Sequence, residues 1–491
     1  MEKEFLQELI AFMQQKGFVW GPEPEIYGGM AGFYSYGPLG KLLKNNVEYI
    51  IRKTFQKNGF FEVEFPTIAP KKVWEASGHL SGFTDPMVEC KKCKSSFKVE
   101  QLIEELFPNK NVKDFESFFK KHEVKCPNCK SLLPKDVSNH NLMMKTFVGI
   151  GGEAYCRPET ATTTYLQFLR CYDFFRKKLP FGVFQIGPAY RNEISPRQHL
   201  LRTREFTQAE GQLFIFDHQK KDYKPFETVK NEKIPFWSWS LRKDDKTVKK
   251  ISLGEALKNK WLKNKAYAYF LYLTYKTFLE LGFPDDRIRL NQHSPDDKAF
   301  YADDAWDIEV KLNSFGWTEL CGVHDRTDYD LKQHAKFSGK SMDVLDEESG
   351  KKKTPHILEF AYGPSRITFA LLDIFYNKKS EQEGKTILSL PPRMAPIKIS
   401  VFPLLRKPEL IKLANKVYDD LSSSWLCKYD ETASIGKRYL RSAEEGIPFA
   451  ITIDFDSLED KSVTVRNRDT EKQKRVKISE LKEKLFVLLK Q

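Results

Sequence analysis

At 491 residues, with 41% hydrophobic and 30% charged side chains, the chain has length for two or three domains with their own cores and is too apolar to be disordered. A net charge of +13 and a pI near 9.0 favour a polyanionic partner, although a lysine-rich composition alone gives the same figure. MEKEFLQELIAFMQQKGF at the N-terminus is an amphipathic helix pattern, not a basic stretch leading into an apolar core. No apolar run of about 18 residues occurs, so neither a signal peptide nor a membrane span is expected. The eight cysteines fall into two CxxC pairs and the singles Cys156, Cys171, Cys321 and Cys427, which suits a reducing, cytoplasmic setting better than a disulfide framework.

In chain order, helical periodicity runs from Leu42 to Phe55 and strand alternation from Phe60 to Phe65, before Pro66. CKKC at Cys90–Cys93 and CPNC at Cys126–Cys129 then supply four thiolates, the donor set of tetrahedral zinc. The 32 residues between the pairs exceed the usual spacing of roughly 15–20, and LIEELFPNKNVKDFESFFKKHEV within them reads as a helical insertion. Knuckles without a metal are the alternative. In GGEAYCRPETATTTYL, Glu159 stands at a strand-to-helix junction, where it either points into a site or serves as an acid at a helix N-terminus.

The most informative stretch is PFGVFQIGPAYRNEISPRQHLLRTREFTQAEGQL, from Pro180 to Leu213: two strands joined by a basic loop. Alternation places Arg191 and Glu193 on one face of the first strand, and Arg204, Phe206, Gln208 and Glu210 on one face of the second. Such a face suits a nucleoside triphosphate, with Arg191 for a phosphate, Glu193 for an exocyclic amine and Phe206 as a stacking plane. A solvated hairpin fits the same spacing. Residues 217–300 are lysine-rich; SWSLRKDDK reads as a hairpin or loop and KNKWLKNKAYAYFLYLTYKTFLELGF as a helix, together a basic insertion whose face suits RNA or simply solvent. A second alternating pair spans Ala305 to Leu331 around Ser314–Gly316, and HILEFAYGPSRITFALLDIF is a strand, a Gly-Pro break and an apolar helix with Arg366 in its first turn. Prolines 391, 392 and 396 mark a boundary near 395, beyond which strands alternate with helices in a mainly parallel α/β domain. Its Lys437, Arg438, Arg441, Arg466 and Arg468 offer a basic face to a phosphate backbone.

YRNEISPR…LLRTREFTQAE resembles motif 2 of the class II aminoacyl-tRNA synthetases, in its glycyl form; RPETA, GWTELCGVHDRTD and the Gly363–Arg366 turn resemble further motifs of that family in the same order. The resemblance covers nearly the whole chain. It implies an α+β fold: an antiparallel class II catalytic sheet flanked by helices, a CxxC/CxxC zinc-type insertion and a C-terminal α/β anticodon-binding domain. The expected divisions are 1–80 with motif 1, 81–145, 146–395 and 396–491. It further implies ATP-dependent attachment of glycine to tRNA(Gly) through a glycyl-adenylate, with Mg²⁺, and a homodimer formed through motif 1.

By the same resemblance, Arg191, Glu319 and Arg366 are the catalytic residues, with Glu319 holding Mg²⁺. ATP is expected at these three and at Asn192, Glu193, Leu201, Arg202, Thr203, Arg204, Glu205, Phe206, Leu320, Gly363, Pro364 and Ser365. Glycine is expected at Lys98, Glu159, Phe206, Thr207, Gln208, Ala209, Glu210, Arg326, Glu359, Phe360, Ala361, Tyr362 and Gly363. Three residues depart from the family pattern: Lys98 stands where arginine is usual, and Phe360-Ala361 where Pro-Ser is usual. Zinc is expected at Cys90, Cys93, Cys126 and Cys129. The rival readings are an inactive synthetase-like accessory subunit that binds nucleic acid, and a related ligase for another amino acid. Retention of the ATP set argues against the first, and the carboxylates with RPETA against the second.

Overall fold

The computed structural model describes every residue except 1, 108–111, 113, 195, 197, 300, 379–385 and 491. Its centre is a sheet with twelve elements of interest: helix α1 (Pro38–Lys57), strands β1 (Phe60–Glu62), β2 (Phe181–Tyr190), β3 (Glu205–Ile215), β4 (Lys233–Trp237) and β5 (Lys249–Ser252), helix α2 (Lys265–Glu280), strands β6 (Ile288–Gln292), β7 (Asp304–Leu312), β8 (Gly316–Thr327) and β9 (His356–Tyr362), and helix α3 (Pro364–Phe375). The nine strands run in the order β5-β4-β6-β7-β8-β9-β3-β2-β1. All neighbours are antiparallel except β2 with β1 and β4 with β6.

One face of this sheet is covered by helices; the other carries a smaller core around Tyr165, Phe168, Phe181, Phe214 and Ile357 and leaves the rest for chemistry. Leu43, Val47, Ile51 and Phe55 recur at helical spacing along α1 and pack, with α2 and α3, on Ala209, Leu213, Leu358 and Phe360. Each such buried aliphatic or aromatic side chain contributes about 1.5–3 kcal/mol, so this face fixes the sheet's orientation. Pro38 opens α1 at its first position, where its missing N–H costs nothing. Gly211 is required on β3: a Cβ there would meet the Phe55 ring at 2.2 Å.

Several expectations change in the structure. The first motif 2 strand ends at Tyr190, so Arg191 and Glu193 lie on the loop beyond it. SWSLRKDDK forms a short helix at Trp239–Lys243, because Ser238 caps it through the Leu241 N–H, and is not a hairpin. Within the stretch expected as a basic insertion on the catalytic domain, β4, β5 and β6 extend the main sheet and α2 lies in the main core. The alternation that gave the Phe60–Phe65 strand is paired only as far as Glu62.

The CxxC pairs sit in a module built on Thr84–Glu89, Ser96–Lys98 and Ser138–Asn141, with its own core of Val88, Phe97, Leu102 and Phe119. Two short helices, Val99–Leu106 and Phe115–Lys121, flank the middle of the predicted helical insertion, which lies outside the described residues. The C-terminal sheet has the order Cys427–Tyr429, Ile399–Pro403, Phe449–Ile453, Ser462–Asn467, Gln473–Lys477; the first three strands are parallel and the last two antiparallel, so it is less parallel than expected. No described helix is long and apolar enough to cross a membrane.

Candidate active site

On the open face, β3, β8 and β9 floor a cavity of about 280 Å³. Alternation along β3 aims Phe206, Gln208 and Glu210 into it, and β9 contributes Glu359 and Ala361. The route by which β8 contributes is different. Glu309 pairs with Glu319 and Ile308 with Cys321, which leaves Leu320 as an extra residue in β8. This bulge turns Glu319 to the cavity side with Gly322, His324 and Arg326, where unbroken alternation would set it beside Cys321 in the core.

One end of the cavity is cationic. Arg191 donates from Nε to the Pro158 carbonyl at 3.2 Å, and its guanidinium lies between Phe83 and Phe206, 5.4 and 5.3 Å from the ring centroids. Arg366 is held by the Leu201 carbonyl at 3.0 Å and the Glu319 carbonyl at 3.2 Å, with its guanidinium 3.5 Å from the Glu319 carboxylate. Burial, and then the neighbouring Arg366, lower the Arg191 pKa from the ordinary arginine value. Two neighbouring guanidiniums, with the charge of Arg191 disfavoured by burial and by Arg366, mark a place for an anion. Enclosure works to raise the Glu319 carboxyl, but Arg366, His324 and Arg191 together bring it below its usual value, although half of its side-chain surface is exposed at the mouth.

The other end is anionic and buried. Glu210 Oε2 accepts from the Thr160 N–H (2.9 Å), the Thr160 hydroxyl (2.5 Å) and the Ala161 N–H (2.7 Å). Burial, then Glu359 and Glu159, push its carboxyl up to about 8. Glu159 accepts from the Thr162 hydroxyl at 2.7 Å and faces His79 at 3.6 Å; burial opposes its charge, yet His79 and Arg326 hold it well below the usual carboxylate range. Glu359 accepts from Tyr165 at 2.8 Å and Arg326 at 3.1 Å, with His324 Nδ1 at 3.2 Å; against burial, these keep it down at about 2.

Most of the expected residues converge on the cavity, and several do not. Arg326 lines it, but its guanidinium forms a fork with Asp330 at 2.8 and 3.0 Å as well as bonding Glu359, so it is committed to protein carboxylates and not to a substrate anion. Arg204 donates to the carbonyls of Glu193, Ala31 and Ile194 and shapes the motif 2 loop without lining the cavity. Asn192 turns to His140, Pro364 is buried at the start of α3, and Glu205 is exposed. Ala209 and Phe360 point to the core face. Tyr362 borders the cavity, but its ring packs beside Phe55 and its hydroxyl donates to Thr277 at 3.4 Å. Thr207 lines the cavity and takes a 2.5 Å bond from Lys44, whereas Lys98 pairs with Asp85 at 2.8 Å beside a separate small cavity lined by Gln198 and Arg202. Tyr165, Tyr301, His79 and His324 were not anticipated; His324 alone had a signal, sharing strand parity with Gly322 and Arg326.

The four cysteine sulfurs lie within 4.8 Å of one another, with Cys90–Cys129 at 3.5 Å and Cys93–Cys126 at 3.6 Å. Zinc–sulfur bonds of about 2.3 Å require tetrahedral edges of about 3.8 Å, so the donor set fits zinc. Knuckle N–H groups hold the Cys90 thiol down at about 6 while burial pushes Cys126 up to about 11, a conflict that a central dication removes. In the C-terminal domain, Arg438 donates to the Leu404 carbonyl at 3.1 Å and Arg468 to the Gly446 and Leu390 carbonyls at 2.8 and 2.7 Å. Both are buried, so the expected basic face loses them and keeps the exposed Lys437.

Residues 151–375 match the tRNA synthetase class II core domain (G, H, P, S and T), and residues 398–487 the anticodon binding domain. The glycine–tRNA ligase of Methanocaldococcus jannaschii is 39% identical, with all of both chains covered; that of Pyrococcus horikoshii is 38% identical over 99% of this chain and 98% of its own. The chain belongs to the glycine–tRNA ligases. The M. jannaschii alignment runs over 584 positions against 491 residues here, so that glycine–tRNA ligase carries segments this member lacks. At the level of fold alone, the prolyl-tRNA synthetase of Giardia lamblia, solved with prolyl-adenylate, superposes with a TM-score of 0.62 at 16% identity, covering 98% of this chain and 75% of its own.

Proposed function

We propose that the chain activates glycine with ATP and transfers it to tRNA(Gly). The carrying observation is the polarity of this cavity: guanidiniums of Arg191 and Arg366 at one end, and at the other a buried carboxylate, Glu210, with an unusually high proton affinity. A zwitterionic amino acid and a polyphosphate fit that order. The glycine ammonium sits between Glu210 and Glu159, because Glu359 is already neutralised by Arg326. Phe206 supplies the face on which adenine stacks, and Glu193 accepts from its amine. A carboxylate oxygen of glycine attacks the α-phosphorus, the bond to pyrophosphate breaks, and Arg191 stabilises the charge that accumulates there. A terminal ribose hydroxyl of the tRNA then attacks the glycyl carbonyl and AMP leaves.

Specificity follows from size. A missing methylene is worth only about 1–3 kcal/mol in a pocket, but glycine has no smaller competitor, so a closed pocket excludes every other amino acid without editing. Ala361 stands at the cavity wall in place of the family's usual serine. Glu319 fits Mg²⁺, which uses one or two protein carboxylates together with substrate phosphates and supplies charge neutralisation there. Zinc at the four cysteines is structural, since the module holds its own core apart from the cavity. The proposal includes a cytoplasmic homodimer; eight free thiols and the exposed Ile26 and Tyr27 support it. ATP–pyrophosphate exchange tested across the twenty amino acids checks the reading. Glycine alone should support exchange, and dependence on any other amino acid would overturn it.

A further inference from the structure

Beside the cavity, three neighbouring strands bring together side chains that the reaction above does not use. His293 follows β6, Asp307 is on β7 and His324 on β8, and each offers a ligand atom within 4.8 Å of the others. His293 Nε2 and Asp307 Oδ2 are 2.8 Å apart, and the two imidazoles lie 6.0 Å apart at 86°. We propose that His293, Asp307 and His324 form a second metal site, for a divalent transition metal of the zinc type, with an open coordination position toward the catalytic cavity. This inference stands apart from the roles given to the arginines and glutamates above.

The local construction favours a site over a chance meeting. Asp307 pairs in register with Gly322, and a Cβ at Gly322 would meet His324 Cε1 at 2.6 Å. Glycine is therefore what lets the His324 ring fold back across its own strand toward Asp307. Its Nδ1 faces Glu359 Oε1 at 3.2 Å, which fixes the ring and leaves Nε2 to serve as a ligand. A carboxylate behind a ligating imidazole is the usual outer partner of a metal-bound histidine, since it sets tautomer and orientation. The main chain holds the third ligand in place: the His293 N–H donates to the Ala305 carbonyl at 3.0 Å.

Metal–ligand bonds of about 2.0–2.2 Å give ligand-to-ligand edges of about 3.3 Å. The His293–Asp307 contact must open slightly and His324 must close, both within rotamer adjustment. Two imidazoles and one carboxylate suit zinc, cobalt or manganese, whereas Mg²⁺ keeps to oxygen ligands. The three side chains are 26%, 14% and 25% exposed, so water and an ion can reach them. Of the three, His324 lines the catalytic cavity, which places the open position on that side, for water or an oxyanion. A hydrogen-bonded His293–Asp307 pair would explain those two residues, but not the approach of His324 over Gly322.

The test uses the full-length protein as purified, parent against His293→Ala, with Co²⁺ as the probe. Metal analysis should show one more tightly held equivalent in the parent than in the variant, either as purified or after Co²⁺ addition. Its cobalt spectrum should lack thiolate charge-transfer bands, separating it from the cysteine cluster. About one equivalent of Zn²⁺ should displace it and excess Mg²⁺ should not. Losing an outer-shell partner costs about 10–100-fold in affinity, so losing a ligand should weaken binding by at least that factor. If His293→Ala does not fold, Asp307→Asn preserves shape and gives the same comparison. Equal metal content and equal Co²⁺ affinity in parent and folded variant would overturn the proposal.

Discussion

Glu210→Gln isolates charge from shape. The amide carbonyl can still accept from Thr160 and Ala161, while the carboxylate charge is gone. Truncating one member of a buried, hydrogen-bonded charge pair costs about 2–5 kcal/mol. Part of that gain is already spent in the parent. With its carboxyl at about 8, Glu210 is mostly protonated at pH 7 and must ionise before pairing with an ammonium, at about 1.4 kcal/mol for one unit. The net loss at pH 7 is then about 1–4 kcal/mol, so the KM for glycine in pyrophosphate exchange should rise by at least about fivefold, with the KM for ATP little changed. At pH 8.5 the parent no longer carries the ionisation cost and the gap should widen. Calorimetry in buffers of different ionisation enthalpy should also show a proton released when glycine binds the parent at pH 7, and a smaller release in Glu210→Gln. A glycine KM within twofold of the parent at both pH values would refute the ammonium pocket.

The sign of stability against pH follows from the same group. A carboxyl raised from 4.5 to about 8 stabilises the fold in its neutral form, and that contribution is lost as pH rises through about 8; Glu210→Gln should therefore lose less thermal stability than the parent between pH 6.5 and 9, and parallel melting curves would contradict this. Arg366→Ala should lose exchange yet still bind tRNA by gel shift or filter retention, whereas undiminished exchange would remove this arginine from the ATP site. Cys126→Ser should lose one zinc per chain by metal analysis and melt at lower temperature, because its module has a small core of its own; unchanged zinc and melting would show that the cluster is not a metal site. Removing residues 396–491 should abolish tRNA charging and spare much of the exchange. That truncation uncovers Leu388 and Leu390 beside Gly446 and breaks the Arg468–Leu390 bond, so circular dichroism must first show a folded catalytic domain; equal loss of both activities in such a protein would refute the division of labour.

The period-two alternation of the motif 2 strand placed Phe206, Gln208 and Glu210 on one face from the sequence alone, and the structure keeps them there, because alternation is a local property of extended backbone. The helix starting at Pro364 and the two CxxC knuckles were legible for the same reason, since proline geometry and cysteine spacing act over a few residues. What could not be read locally was the partner of each charge. Arg326 and Glu359 are 33 residues apart and neutralise each other, which turns three acidic candidates for the ammonium into two. Arg438 and Arg468 looked like a phosphate-binding face until packing committed them to backbone carbonyls. Glu319 depended on one extra residue at Leu320, a register shift visible only once β7 and β8 are paired. Sequence determined which side chains share a strand face; only the tertiary structure decided which of their charges remain for a ligand, because an ionised group in a buried site is satisfied by whichever donor or acceptor the fold brings within about 3 Å.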